Sequence, residues 1–346
     1  MNKLILIGNG FDIANGLKTR YSDFILWYLN EAFKKASNSN NLFEDDLIKF
    51  SLSQNYSYYE IDSVDDFLNN KKIFTVQFKS IFIENIIKPI LEKRWVDIES
   101  EYYSILLSLY KKLEDGNIRS HPTISIALAA HNQCLKSLKE RLVEYLSIIN
   151  SIVVQNNNQI ESKLRGLFSE TESSDQVNNV LLLNFNYTHT LDNYVDSKSF
   201  KNAKILNIHG SIDDLSNPII FGYGDEMDLN YQRIESLNDN KFLMNMKSFG
   251  YFQTTNYLNF LKFVTSDFFE VYIMGHSCGI SDRLMLNTIF EHENCKKIQI
   301  FYHKISDSAN DYFEKTQEIS RHFSPSLKGK MREILLPITL CTPLVE

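Results

Sequence analysis

Polar side chains follow four apolar segments of this chain, each at the point where a predicted strand ends. Amide, imidazole and hydroxyl groups of this kind hold ligands and move protons. Because ligand crevices of open α/β sheets lie beyond the carboxyl ends of the strands, we predict that these groups share one active site. The groups are Asn186-Tyr187-Thr188-His189-Thr190, His209-Gly210-Ser211, Gly222-Tyr223-Gly224-Asp225 and Gly275-His276-Ser277-Cys278-Gly279, with Asp282 shortly beyond the last.

A glycine-rich turn follows the first apolar run of the chain. Glycine lets the backbone turn tightly and lets a phosphate approach the backbone N–H groups, so we predict a nucleotide here. The spacing departs from G-x-G-x-x-G, because Ile13 stands at the third glycine. An ordinary strand–turn–helix connection is the alternative. Valine at either of the first two glycines is expected to abolish nucleotide binding without unfolding the protein. The turn comprises Gly8, Asn9, Gly10, Phe11 and Asp12.

The last strand-end group also fits the G-x-S-x-G pattern of a nucleophile elbow, with Ser277 as the nucleophile. A serine hydrolase is therefore an alternative function. Asp282 would lie on the elbow's own helix, and His303 and Asp307 follow in the reverse of the usual order, which disfavours it. A nuclease is a weaker alternative, in which Asp12, Asp225 and Asp282 would gather a magnesium ion. No spacing singles out such a site, and no metal is predicted.

Composition indicates a folded protein in a reducing compartment. Of the 346 residues 43% are apolar, and the net charge of −7 argues against a nonspecific nucleic-acid surface. Only four apolar residues lie between Lys3 and Gly8, too few for a signal peptide, and no apolar stretch approaches the roughly 20 residues of a membrane helix. The four cysteines include no C-x-x-C pair. We therefore predict a cytoplasmic protein without a membrane or nucleic-acid partner.

The elements that must position these groups form an α/β fold. Most of the later apolar runs are continuous, as in strands that are buried on both faces of a parallel sheet. We predict a Rossmann-like, mostly parallel sheet with a large helical insertion after the first strand and helix. The predicted later strands are Val180–Phe185, Lys204–Ile208, Ile219–Phe221, Val271–Met274, Ile298–Tyr302 and a late edge strand, Ile334–Leu340.

We predict a single α/β domain over residues 1–346. Residues 30–170 are predicted to form its helical insertion, and residues 178–346 are predicted to form the remainder of the α/β core. Apolar residues in this stretch recur at helical spacing, which is typical of packing rather than chemistry. Trp95, at the start of the first stripe, is expected to pack in a helix core. The stripes are Ile98, Tyr102, Ile105, Leu106, Leu109 and Leu113, and then Leu135, Leu138, Leu142, Tyr145, Leu146, Ile149 and Ile152.

Five motifs in order resemble the AbiH family of bacterial abortive-infection proteins, which act in phage defence. They are LILIGNGFDIANGLKTRYSDF, LNFNYTHTL, NIHGSIDD, IIFGYGD and YIMGHSCGISD, and they span nearly the whole chain. More distantly, the motifs are similar to those of sirtuin-like domains, which cleave NAD in some bacterial defence proteins. The paired-cysteine zinc module of sirtuin deacylases is missing. The resemblance therefore implies an NAD glycohydrolase rather than a deacylase.

Carried over residue by residue, the resemblance implies that Gly8 and Gly10 border the pyrophosphate, and that Asn186 and His209 are the catalytic pair. Asp12 would hold ribose hydroxyls or cap the following helix. Asp282 would contact ribose or adenosine, or cap the helix that begins near Arg283. The other residues predicted to contact the nucleotide are Asn9, Phe11, Thr188, Gly210, Ser211, Gly275 and Ser277.

The chemistry of nicotinamide release suits this pair. The leaving group is cationic, so the protein needs mainly to position ribose and water and to supply a mild base. An asparagine amide both donates and accepts hydrogen bonds, and a histidine has an unperturbed pKa of about 6.5. The predicted ligand is NAD or a related nucleotide, with a phage-derived trigger and a homo-oligomer contact as expected partners. A sensor that binds the nucleotide without turnover is the alternative.

Overall fold

The computed structural model describes residues 1–53, 61, 63, 66–67, 73–92, 96–116, 121–152, 155–169, 179–195 and 202–346. Trp95, predicted to pack in a helix core, lies outside these residues. The chain divides into two compact units. The first comprises residues 1–18, 146–227 and 246–346, and the second comprises residues 19–145 and 228–245.

Eleven strands lie within the described residues. In chain order they are β1 (Asn2–Ile7), β2 (Leu42–Glu44), β3 (Ile48–Leu52), β4 (Phe74–Phe78), β5 (Val180–Asn184), β6 (Ala203–Asn207), β7 (Phe269–Met274), β8 (Cys295–Tyr302), β9 (Lys304–Ser306), β10 (Ala309–Asn310) and β11 (Thr342–Pro343).

The α-helices of the described residues lie before, between and after groups of these strands, and short 3₁₀ turns lie between several of the elements. The α-helices are α1 (Asn9–Ala14), α2 (Tyr21–Ser37), α3 (Ile81–Leu91), α4 (Ile98–Asp115), α5 (His121–Asn150), α6 (Asn158–Ser169), α7 (Leu229–Ser236), α8 (Asn240–Leu243), α9 (Lys247–Gly250), α10 (Asn256–Ser266), α11 (Arg283–Phe290), α12 (Tyr312–Arg321) and α13 (Lys328–Ile334).

The first unit is built on a six-stranded parallel sheet in the order β11-β8-β7-β1-β5-β6. The chain adds β5 and β6 on one side of β1 and then returns to add β7 and β8 on the other. This reversal makes the carboxyl ends of β1 and β7 the topological switch point, where open α/β sheets place their ligand crevices. The prediction of a mostly parallel α/β sheet is confirmed.

Strand β1 is buried on both faces, which explains its unbroken apolar sequence. Leu4 and Leu6 pack into one hydrophobic cluster with α10, α11 and the later helices. Ile5 and Ile7 pack into the other cluster, on the side of α6. With the sheet covered on both faces, polar side chains collect at its carboxyl edge.

The second unit is helical around a small sheet. Strands β2, β3 and β4 form a three-stranded antiparallel sheet, and α2 packs against β2 and β3. The ring of Tyr102 in α4 stacks on His131 of α5, with the ring centroids 4.5 Å apart. The Tyr102 hydroxyl donates to Asn132, whose amide donates to the carbonyl of Lys241. The two apolar stripes lie in α4 and α5, except for Ile152, which follows the end of α5.

Two predictions about elements are wrong, and one small sheet was not predicted. Residues 219–221 form no strand; instead the N–H of Ile220 donates to the carbonyl of His209, which ties this segment to the loop after β6. Residues 334–340 are not a strand either, because α13 ends at Ile334, Pro337 offers no N–H and a 3₁₀ turn follows; the edge strand is β11. The antiparallel sheet β2–β4 was not predicted.

Within the described residues, none of the helices combines the length and apolar character needed to cross a bilayer.

Candidate functional site

Asp282 is the centre of a buried polar cluster at the carboxyl edge of the parallel sheet. It ends a 3₁₀ turn and precedes α11, but its side chain makes no capping hydrogen bond to that helix, so the capping interpretation is wrong. Its Oδ1 instead lies 2.6 Å from Nζ of Lys247 and 3.3 Å from Nε2 of His209, and its Oδ2 lies 3.6 Å from Nε2 of His276. All four residues are buried.

The charges of this cluster follow from its burial. Lys247, His209 and His276 hold the pKa of the Asp282 carboxyl well below its usual range, although burial opposes them. Burial lowers the pKa of His276 to about 3. Because Nδ1 of His276 accepts a hydrogen bond from the N–H of Cys278, we assign its proton to Nε2, facing Asp282. The cluster is therefore an ion pair that is flanked by imidazoles.

His209 follows β6 and is held from several sides. Its Nε2 lies 3.3 Å from the hydroxyl of Tyr251, and its ring also hydrogen-bonds to the backbone of Phe185. Burial, and after it the Lys247 charge, lowers the pKa of His209, while Asp282 raises it; the net direction is down. His209 is therefore mainly neutral near pH 7, with its ring held by Asp282, Tyr251 and the backbone of Phe185.

The glycine turn packs against the loop after β7. The N–H groups of Gly8 and Gly10 donate to the carbonyls of Met274 and Gly275, at 3.2 and 2.8 Å. A Cβ at Gly8 would lie 2.5 Å from Cα of His276, and one at Gly10 would lie 2.8 Å from Cα of Gly275. Both neighbours are backbone atoms, so the expectation that valine here would leave the fold intact is wrong.

Asn186 and Asp12 form a second polar group, between the ends of β5 and β1. Nδ2 of Asn186 donates to the carbonyl of Gly8 at 3.1 Å. Asp12 lies inside α1 rather than at its start, so it does not cap that helix. Its Oδ2 accepts a 2.6 Å hydrogen bond from the hydroxyl of Thr188, and its buried Oδ1 has no partner among the described residues. Burial raises the pKa of Asp12 to about 6.

The two groups lie at the ends of neighbouring strands. Asn186 follows β5, His209 follows β6, and these strands pair in register from Val180 opposite Ala203 to Asn184 opposite Asn207. No hydrogen bond of the described residues joins Asn186 directly to His209. A shared site for this pair stays a prediction.

The serine-elbow pattern does not assemble a triad here. Ser277 is exposed, and its Oγ accepts only a long hydrogen bond of 3.4 Å from the N–H of Gly279. The neighbouring His276 has both ring nitrogens engaged elsewhere, on Cys278 and Asp282. Within the described part of the chain, no histidine hydrogen-bonds to Ser277.

A different serine does align with a histidine and an aspartate. Oγ of Ser211 lies 3.4 Å from Nε2 of His189, whose Nδ1 lies 3.1 Å from Asp192. However, the same Nε2 faces the carbonyl of Ile212 at 3.1 Å, and a carbonyl oxygen requires a donor there. His189 Nε2 therefore carries a proton and offers Ser211 no base.

The remaining predicted contact residues have mixed positions. Phe11 is fully buried and packs edge-on against the ring of Tyr194, which makes it a core residue. Asn9 is exposed at the start of α1. Gly210 and Gly275 have φ of +85° and +73°, which favours glycine at both positions.

The carboxylates that a nuclease would need are not gathered. Asp225 pairs with Arg283 at 3.2 Å, while Asp282 pairs with Lys247 and Asp12 with Thr188. The described residues contain no group of three or more histidine, cysteine and acidic side chains that could hold a metal ion.

Two members of the Asp282 cluster were missed from the sequence. Lys247 belongs to no motif; the only signal is a lysine placed between Met246 and the aromatic Phe249 and Tyr251. His276 lay inside a motif but received no role. Tertiary packing brings Lys247 to Asp282, and the N–H of Lys247 donates to the carbonyl of Tyr223.

The family of the chain follows from its sequence as a whole. Residues 4–304 match the model of the family described as Bacteriophage abortive infection AbiH. This stretch covers most of the 346 residues and includes the glycine turn, Asn186, His209, Lys247 and Asp282. No curated protein matches the chain. The chain belongs to the AbiH family of bacteriophage abortive infection proteins.

Proposed function

We propose that this protein defends its host by hydrolysing the nicotinamide–ribosyl bond of NAD at the carboxyl edge of the parallel sheet. The observation that carries the proposal is the side chain of Asp282, which leaves its helix uncapped and instead contacts His209 inside a buried cluster. Perturbed, buried ionisable groups at a strand edge are typical of catalytic sites. We choose NAD as the substrate because the sequence motifs resemble those of sirtuin-like domains.

In the proposed reaction the bond between C1′ of the ribose and the nicotinamide nitrogen breaks, and nicotinamide leaves as a neutral molecule. Water forms the new bond to C1′, and its proton passes to a base. His209 is suited to this task because its pKa is lowered, so that it is neutral near pH 7.

Asn186 would position the ribose and the water. Because its Nδ2 donates to the Gly8 carbonyl, its amide oxygen is the atom that would accept a hydrogen bond from a ribose hydroxyl. The unpartnered Oδ1 of Asp12 is a second acceptor that a ribose hydroxyl would satisfy. A buried polar atom without a partner costs free energy, which ligand binding would recover.

The pyrophosphate is the part of NAD that the glycine turn fits least well. The N–H groups of Gly8, Gly10 and Phe11 already donate to backbone carbonyls. The proposal therefore assigns the turn to holding the loop after β7 in place and assigns substrate recognition to the ribose.

The test is nicotinamide release from NAD by the purified protein, together with NAD levels in infected cells so that a trigger is present. His209→Ala and Asn186→Ala should each lower the rate by about 10²–10⁴-fold and abolish phage protection. His303→Ala is the matched control, because this histidine is exposed and its backbone N–H, not its ring, bonds to Asp311.

Protection that survives both substitutions, in cells whose NAD level never falls, would contradict an enzymatic function. Nucleotide binding by the wild type without nicotinamide release, even in infected cells, would instead support the sensor.

A further inference from the structure

One carboxylate oxygen of Asp282 lies close to both a buried ammonium group and a buried imidazole. Nζ of Lys247 lies 2.6 Å from Oδ1, and Nε2 of His209 lies 3.3 Å from the same atom. The other oxygen faces Nε2 of His276 at 3.6 Å. All these side chains are almost completely buried, so the contacts are made in a low-dielectric environment where charge matters most.

A carboxylate beside an imidazole normally stabilises the protonated ring. A protonated His209 would have no lone pair for a proton and could not act as a base. Asp282 alone would therefore hold the ring of His209 in position but favour its wrong protonation state. An ammonium group on the same carboxylate oxygen removes this conflict.

We propose that Lys247 is a positioning residue for His209: its ammonium group neutralises Asp282, so that the carboxylate orients the imidazole while the ring stays unprotonated. This inference rests on the proposed function, in which His209 is the base. It assigns to the ion pair a role in setting the protonation of a third residue, beyond holding two loops together.

The surroundings of His209 agree with this assignment. Its other neighbours are the hydroxyl of Tyr251, the ring of Tyr187 and the backbone of Phe185, and these carry no charge at pH 7. The Lys247 charge lowers the pKa of His209 and the Asp282 charge raises it, so the two oppose each other.

Among the described residues, further charged groups lie near His276 and Asp282. Lys315 donates to the carbonyl of His276 at 2.7 Å, and its charge and that of His322 both act on His276. Arg283, beside Asp282 in the chain, pairs with Asp225. Lys247 is therefore the cation that directly contacts the carboxylate facing His209.

The first measurement is the titration of His209 by NMR in the full-length chain, which needs no substrate. Lys247→Met should raise the pKa of His209 by about 1–3 units relative to wild type, because Asp282 is then uncompensated. Lys247→Arg, which keeps the charge, should restore a low value. A His209 that titrates at the same pH in wild type and Lys247→Met overturns the inference.

Because Lys247→Met leaves a lone buried carboxylate that destabilises the fold, the double variant Lys247→Met with Asp282→Asn is measured beside it. This variant contains no uncompensated charge. Its His209 should occupy a mixture of tautomers in ¹⁵N spectra, where wild type shows one. A single unchanged tautomer would contradict a positioning role.

Nicotinamide release gives the second readout. In Lys247→Met the rate at pH 7 should fall by about 10-fold or more and recover at higher pH, where His209 loses its proton. Lys297→Met with Glu270→Gln is the matched control, since this pair joins β8 to β7 near the opposite end of the sheet, at 2.9 Å. If wild type releases no nicotinamide, the proposed function fails, whereas the titration of His209 still tests the inference.

Discussion

The hydroxyl of Thr188 donates a 2.6 Å hydrogen bond to Oδ2 of Asp12, while Oδ1 of the same carboxyl group has no partner among the described residues. Burial raises the pKa of Asp12 from 3.8 to about 6, because the opposing side-chain hydrogen bonds from Thr188, Thr190 and Asn186 do not offset the cost of burying the charge. The carboxyl group of a residue at the candidate site thus titrates just below neutral pH.

This shift predicts a dependence of stability on pH. Native Asp12 keeps its proton up to about pH 6, whereas the unfolded chain loses it near 3.8. The native state therefore binds the extra proton in this window, and the stabilisation present at low pH is lost as the pH rises through it. The shift of about two units corresponds to about 3 kcal/mol.

Asp12→Asn does not titrate and isolates this effect. The free energy of unfolding of the variant minus that of wild type should increase by about 3 kcal/mol between about pH 4 and about pH 7. Urea denaturation at a series of pH values measures it. A difference that is constant across the range would mean that Asp12 is not buried as described.

We predict that alanine has opposite effects on stability at Gly10, in the glycine turn, and at Gly166, in α6. Gly10→Ala places a Cβ 2.8 Å from backbone atoms of Gly275 and should destabilise the protein by about 1–3 kcal/mol. Gly166→Ala is the control, because its Cβ meets nothing within 4 Å in the interior of α6. Alanine there should stabilise the helix by about 0.5–1 kcal/mol. Equal melting temperatures for the two variants would contradict the close packing of the turn.

The central sheet was predictable because its strands are buried on both faces. Burial of Leu4 and Leu6 on one side, and of Ile5 and Ile7 on the other, leaves an unbroken apolar run that few other structures produce. By contrast, β2 and β3 belong to a small sheet with one face partly exposed. Short alternating strands of this kind give a weak local signal inside a helix-rich stretch.

The candidate site was predictable only where its residues follow strands. Asn186 and His209 could be placed from β5 and β6, since parallel strands end at one edge. Lys247 could not be placed, because it is 35 residues away from Asp282 in the chain and comes from a segment without a motif. The sequence around Asp282 is equally consistent with a ligand contact and with a helix cap. Only tertiary packing distinguishes these two interpretations.

The lowered pKa of His209 predicts the pH profile of the proposed activity. A base must be unprotonated, so the rate should stay high as the pH falls below 6.5, the usual pKa of histidine, and decline only below the lowered value. The measurement is kcat/KM for nicotinamide release against pH. Asp12→Asn should keep this acid limb, since otherwise Asp12 rather than His209 sets it.

The Asp282–Lys247 ion pair predicts a strongly non-additive double-variant cycle. Asp282→Asn leaves the ammonium of Lys247 buried without its counter-charge, which should cost about 3–5 kcal/mol of the free energy of unfolding. Lys247→Met should lower the free energy of unfolding by a similar amount, because it leaves the Asp282 carboxylate buried without a counter-charge.

Removing both charges together should cost much less than the sum of the two, since no uncompensated charge remains in the core. The cycle is measured by urea denaturation at pH 7, with Glu270 and Lys297 as the reference pair. Because the side chain of Lys297 is 27% exposed, solvent screens that pair, and its coupling should not exceed about 1 kcal/mol. Additive effects at Asp282 and Lys247 would show that their charges are solvated. This result would contradict a buried cluster around His209.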